Sequence, residues 1–128
     1  MSDIFALDAS ALLCLIHREP GWEAVRAGLP GSRIGAVNLS EVIARMSERG
    51  MTAEAIDSAL RLLDLRVVDF DADQARVTGL LRRETRAAGL SLGDRACLAL
   101  AAKLGATALT ADRAWRDVEV GVKIELIR

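Results

Sequence analysis

LSLGDRACLALAAKLGATALT, residues 90–110, holds the pattern that decides the fold. Through Gly105 it reads as a helix of Ala, Leu and Cys, relieved only by Asp94, Arg95 and Lys103 near its polar positions. ATALT, 106–110, then reads as a strand. The same alternation recurs toward the N-terminus. IFAL (4–7) is a short apolar run followed by Asp8, and SALLCLIH (10–17) is a helix stopped by Pro20–Gly21. RIGAV (33–37) is a second strand, followed by the helix NLSEVIARMSERG (38–50). Thr52 opens another helix, AEAIDSALRLL (53–63), and RVVDF (66–70) is a third strand. Asp71 with Gln74 marks a further helix start, given an apolar face by Val77, Leu80 and Leu81 before Gly89. After ATALT come a short turn or helix, DRAW (112–115), and a last strand, KIELI (123–127). GLPGSRIG (28–35) is the one Gly/Pro-rich stretch and reads as a loop.

Strands alternating with helices predict an α/β fold, a parallel sheet covered on both faces by helices through right-handed crossovers. The near-continuous apolar character of the first strand suits such a buried position. At 128 residues, without repeat or linker, residues 1–128 are expected to form one domain. With 52% hydrophobic but only 3% aromatic residues, the core must be aliphatic. No apolar run, Ala11–Ile16 included, is long enough for a membrane span. MSDIFALD has an early acid and no basic leader, so no secretory signal is expected. Cys14 and Cys97 lie in apolar helices, where reduced buried thiols are the ordinary state, and a cytoplasmic protein follows.

The formal net charge of −1 excludes a general polyanion binder. A nucleic-acid ligand would need a local basic patch or bound cations. The single histidine, His17, excludes a multi-histidine zinc site and reads as a solvated residue at a helix tail. Chemistry must therefore come from carboxylates. A parallel sheet brings its strand C-termini to one edge, where ligands bind. Asp8 follows the first strand, Asn38 and Glu41 the second, and Thr110 and Asp112 the fourth, while Asp94 opens the helix that leads back to the fourth. Capping alone explains part of this: Asp8 and Asp112 suit N-caps, and Asn38/Glu41 and Ser91/Asp94 have capping-box spacing. Two features go beyond capping. Val42, Ile43 and Met46 after Glu41, and Cys97, Leu98 and Ala101 after Asp94, predict docked helices that aim both acids inward. Four crowded carboxylates without matching bases would also raise one another's pKa values unless a cation joined them. Oxygen-only ligation favours Mg2+ or Mn2+ over zinc.

IFALDASALL, AVNLSEVIARM, LSLGDRACLALA and ALTADRAW, in this order, resemble a PIN-domain ribonuclease of the VapC toxin type, over nearly the whole chain. The resemblance implies a PIN-like three-layer sandwich with a five-stranded, mostly parallel sheet flanked by helices. It implies that Asp8, Glu41, Asp94 and Asp112 are an acidic quartet binding Mg2+ or Mn2+, with Ser10, Asn38 and Thr110 as supporting polar residues. It further implies metal-dependent RNA cleavage, a homodimer, and inhibition by a cognate antitoxin protein. Arg18, Arg45, Arg95 and Arg113 are candidate contacts to RNA phosphates, with structural ion pairs as the alternative for each. Trp22 and Trp115 are expected to pack, and Asp117 to be a solvated loop residue. Three rivals stay open. An aspartyl-phosphate phosphatase would want a second acid two residues after Asp8, where Ser10 stands. A receiver module usually carries a lysine on a late strand loop, and LTADRAW has none. A PIN-like module that binds without cleaving would lack Mg2+ or Mn2+ affinity.

Overall fold

β1 (Phe5–Leu7) runs into α1 (Ala9–Ile16) with only Asp8 between them, because the Asp8 side chain caps the helix at once. The computed structural model describes residues 4–128, so Met1–Asp3, part of the stretch behind the no-leader expectation, lie outside the described residues. Next come α2 (Trp22–Gly28), a 3₁₀ turn (Leu29–Gly31), β2 (Ser32–Gly35), α3 (Ala36–Glu48), α4 (Ala53–Arg61) and β3 (Val67–Val68). The chain continues through α5 (Ala72–Leu80), α6 (Arg82–Thr85), α7 (Leu92–Leu104), β4 (Thr107–Thr110), a second 3₁₀ turn (Arg113–Trp115) and β5 (Ile124–Leu126).

The strands form one sheet in the order β3-β2-β1-β4-β5, and every pairing is parallel. β1 is central, with Leu7 level with Ile34 of β2 and Leu109 of β4. Period-2 alternation divides the core between the two faces. Leu7, Ile34 and Leu109 pack with Leu12, Leu15, Val25, Val42, Met46 and Ile56 of α1–α4. Ala6 and Ala108, side by side in register, face the opposite way, under Cys97, Leu98, Leu100 and Ala101 of α7, with Trp115. Alanine on both strands lets α7 approach closely, and the Cys97 Sγ lies 3.5 Å from the Ala6 carbonyl oxygen. α7 ends where Gly105 turns left-handed (φ 61°), a conformation glycine adopts without steric cost. The expected three-layer α/β sandwich is thus present, with an all-parallel sheet.

Local boundaries differ from the sequence reading at several points. RIGAV is not all strand: β2 ends at Gly35, and Ala36–Val37 already belong to α3. Asn38 is therefore inside the helix and is not its cap, because its amide is taken by Glu41 and by a carbonyl of α7. RVVDF contracts to Val67–Val68, an edge strand with one neighbour. The loop reading of residues 28–35 fails, since they hold the end of α2, a 3₁₀ turn and β2. The Thr52, Asp71 and Ser91 caps are present, each accepting a backbone N–H three residues on. Cys14 and Cys97 are free and buried. Among the described residues no helix is long and apolar enough to cross a membrane.

Candidate active site

Asp8 sits where the sheet order reverses, between the C-terminal ends of β1 and β4, the place where parallel sheets bind ligands. It is 3% exposed, and both carboxylate oxygens are held. Oδ1 accepts from the Ala11 N–H (2.8 Å) and from the Ser10 hydroxyl (2.7 Å), and Oδ2 accepts from the Thr110 hydroxyl. Ser10 and Thr110 also bind the following loop: the Ala111 N–H donates to Ser10 Oγ (2.9 Å) and the Asp112 N–H to Thr110 Oγ1 (3.0 Å). Burial lifts the Asp8 pKa to about 6 against the opposing hydrogen bonds from Thr110, Ser10 and Ala11, with the Asp94 charge adding a further push upward. The carboxylate is thus fixed in place and electrostatically uncomfortable without a cation.

Glu41 reaches the same region from α3. Val42 and Met46 are fully buried and dock this helix, whereas Ile43, expected to join them, is 37% exposed. Burial raises the Glu41 pKa, the Asn38 hydrogen bond opposes this, and the Asp94 charge adds to it. Asn38 Nδ2 donates to Glu41 Oε1 (2.9 Å) and to the Gly93 carbonyl of α7 (3.0 Å). Asp94, half-buried, completes a capping box: Ser91 N–H donates to Asp94 Oδ2 (2.9 Å) and Asp94 N–H to Ser91 Oγ (3.2 Å). Buried Cys97, one turn further along α7, has its thiol pKa pushed well up by burial and by the Asp8, Asp94 and Glu41 charges together. Three carboxylates therefore share one local field. Asp112 joins from the loop after β4, exposed, with its side chain accepting the Ala114 N–H (2.9 Å).

All four acids line one cleft of about 490 Å³, together with Ser10, Leu13, His17, Glu19, Arg45, Arg49, Ser91 and Arg128. Of the four arginines singled out in the sequence, only Arg45 is in this lining. Arg95 turns into the scaffold, donating to the Thr78 carbonyl of α5 (3.0 Å). Arg18 is exposed and lies over the Trp22 ring at 5.1 Å, and Arg113 is exposed outside the lining. His17 is the tail residue expected, the C-cap of α1, but it is only partly solvated: it lines the cleft, with Nε2 buried and unpartnered among the described residues. Arg49, absent from the sequence candidates, lies two four-residue steps beyond Glu41, through Arg45, on a single helical stripe. That spacing is legible in the sequence. Arg128 has no such signal, since it enters only because the chain after β5 folds back to the α1–α2 turn. There its guanidinium donates to the Pro20 carbonyl (2.8 Å) and pairs with Glu19 at 3.9 Å. Trp115 is fully buried, and Asp117 is an exposed loop residue.

The acids offer oxygen donors only, which suits a hard divalent cation such as Mg2+ or Mn2+. The raised Asp8 and Glu41 pKa values fit a site that gains from positive charge. Among the described residues, however, no three acidic, histidine or cysteine side chains already form a group placed to hold an ion. Mg2+ keeps several of its waters and needs only one or two protein carboxylates, so the two findings are compatible.

The family model described as PIN domain matches residues 5–121. The chain belongs to the PIN domain family. No curated protein matches it. Among solved structures, this PIN domain is similar to VapBC2 from Rickettsia felis bound to a DNA fragment from its promoter, with TM-score 0.75 and 20% identity, covering 95% of this chain and 97% of that one. It is similar to DNA-bound VapBC from Salmonella typhimurium, with TM-score 0.72 and 22% identity, covering 98% and 99%. It is also similar to the Mycobacterium tuberculosis sarcin-ricin loop cleaving toxin VapC20, with TM-score 0.73 and 19% identity, covering 93% and 98%. At such identities the likeness is one of fold.

Proposed function

We propose that this PIN domain is a Mg2+- or Mn2+-dependent endoribonuclease and the toxin of a toxin–antitoxin pair. The observation that carries the reading is the convergence of Asp8, Glu41, Asp94 and Asp112 on one cleft at the sheet switch point. A structurally similar protein is described as cleaving the sarcin-ricin loop, and others as toxin–antitoxin complexes, which supports an RNA substrate and an antitoxin partner here.

The bound cation would activate a water and stabilise charge on the phosphate and leaving oxygen. Asp8, gripped on both oxygens, would be the fixed ligand, and Asp94 and Asp112 would complete the set directly or through water. Glu41, half-buried with its pKa raised, is placed either to add a ligand or to accept the proton of the attacking water. Arg45 and Arg49 offer their charge to the RNA backbone. Exposed Leu62 and Leu80, 87% and 60% accessible, supply apolar surface for a second copy, and the buried free thiols suit the cytoplasm.

The test is cleavage of RNA by purified protein, abolished by excess chelator and restored by Mn2+ or Mg2+. Cleavage that persists in chelator, with contaminating nucleases excluded, removes the proposal. The rival reading is a PIN fold that binds without cleaving. Calorimetry decides between them, since the silent module would take up neither Mn2+ nor Mg2+. Mapping RNA ends after brief induction then names the target.

A further inference from the structure

We infer that Gly93 and Asn38 are positioning residues that together seat the Glu41 carboxylate against the first turn of α7. For its effect on catalysis this rests on the nuclease reading; for the seat itself it does not.

Gly93 is the second residue of α7, buried, and its backbone is not in the left-handed region that calls for glycine. Alanine would be the better helix former there. What glycine provides is room. A Cβ at Gly93 would overlap Oε1, Oε2 and Cδ of Glu41, so the carboxylate lies directly on the bare Cα. Gly79 of α5 makes the contrast: it is also helical, and a Cβ there would meet nothing within 4 Å.

Asn38 supplies the second half of the seat. It is 1% exposed, and the two protons of its Nδ2 go to Glu41 Oε1 (2.9 Å) and the Gly93 carbonyl (3.0 Å). Both partners only accept, so the amide must present its nitrogen to them. One buried amide thus ties a carboxylate on α3 to the backbone of α7, beside Asp94. Without the tie and the gap, Glu41 would swing out along the cleft toward Arg45, one turn away on the same helix.

The experiment is a double-mutant cycle on the intact chain, read by thermal melting in chelator, by Mn2+ titration and by RNA cleavage. Gly79→Ala, the control, raises the melting temperature. Gly93→Ala falls short of that gain in the wild-type background, where Glu41 must leave its seat, and shows it in full once Glu41→Ala has emptied the seat. Gly93→Ala and Asn38→Ala each raise the Mn2+ concentration needed for half the full thermal shift. Each also slows cleavage by about 100-fold, as expected for a group misplaced by about an ångström. Neither adds a loss in the Glu41→Ala background, because both act through that side chain. Should Gly93→Ala fail to fold, recovery of folded protein in the double variant supports the seat equally. A Gly93→Ala change in melting temperature that is equal in both backgrounds, or losses that add to that of Glu41→Ala, would overturn the inference. If the wild type cleaves no RNA, the nuclease reading falls, while the difference between the two backgrounds in the melts still decides the seat.

Discussion

At Asp8, burial and hydrogen bonding pull in opposite directions, and burial wins. Its pKa moves from an ordinary 3.8 to about 6, so the folded state binds this proton more tightly than the unfolded chain does. The resulting stability is fully present below pH 3.8 and is lost as pH rises through about 6. It amounts to about 3 kcal/mol at most. In chelator, wild type should therefore lose stability relative to Asp8→Asn between about pH 4 and 6, a gap that paired urea melts would show. Parallel stabilities across that window would mean that the buried charge carries no such cost. Asp94 tests differently, because it both caps α7 and raises the pKa values of Asp8 and Glu41. Asn keeps an acceptor for the Ser91 N–H and gives up only the charge near the helix dipole, about 0.3–1 kcal/mol. Relief of repulsion offsets that loss. We expect Asp94→Asn to leave metal-free stability nearly unchanged while shrinking the thermal shift produced by Mn2+. A drop in metal-free stability with a full Mn2+ shift would make Asp94 a cap and nothing more.

Among the elements, α7 shows most clearly what packing demands. Ala6 and Ala108 leave space for it over the central strands, and Cys97, Leu98 and Leu100 fill that space. Ala6→Val adds two methyl groups to a site with no exposure and should destabilise the fold by about 1–3 kcal/mol, measurable as a lowered urea midpoint with unchanged slope. Most elements are apparent from periodicity and caps, because Thr52, Asp71 and Ser91 announce their helices locally. α2 is not, since its N-cap is Gly21, which offers no side-chain hydrogen bond. The end of β2 is also obscure in the sequence, because Ala36 and Val37 suit strand and helix equally, and tertiary docking of α3 settles the matter. The four acids can be placed at one edge from topology alone. Gly93, Arg128 and the true surroundings of His17 and Arg95 depend on contacts between distant segments, which no local pattern encodes.

Across the whole molecule, a net charge of −1 conceals a local asymmetry. Arg45 of α3 and Arg49, the C-cap of that helix, line the cleft, and among the described residues neither takes part in an ion pair. Replacing both by alanine should raise KM with little change in kcat. It should also reduce the salt dependence of RNA binding by roughly 1.4 in log–log slope, for two single-strand phosphate contacts. An unchanged slope would place the RNA backbone elsewhere. A different consequence follows from the parallel sheet. Asp8 obtains its Thr110 hydroxyl from a segment 102 residues later, and Asp112 lies later still. During translation the exit tunnel shields the newest residues, so the site stays incomplete until the segment carrying Thr110 and Asp112 has emerged. A nascent chain arrested before Thr107 should therefore cleave nothing, although it already carries Asp8, Glu41 and Asp94.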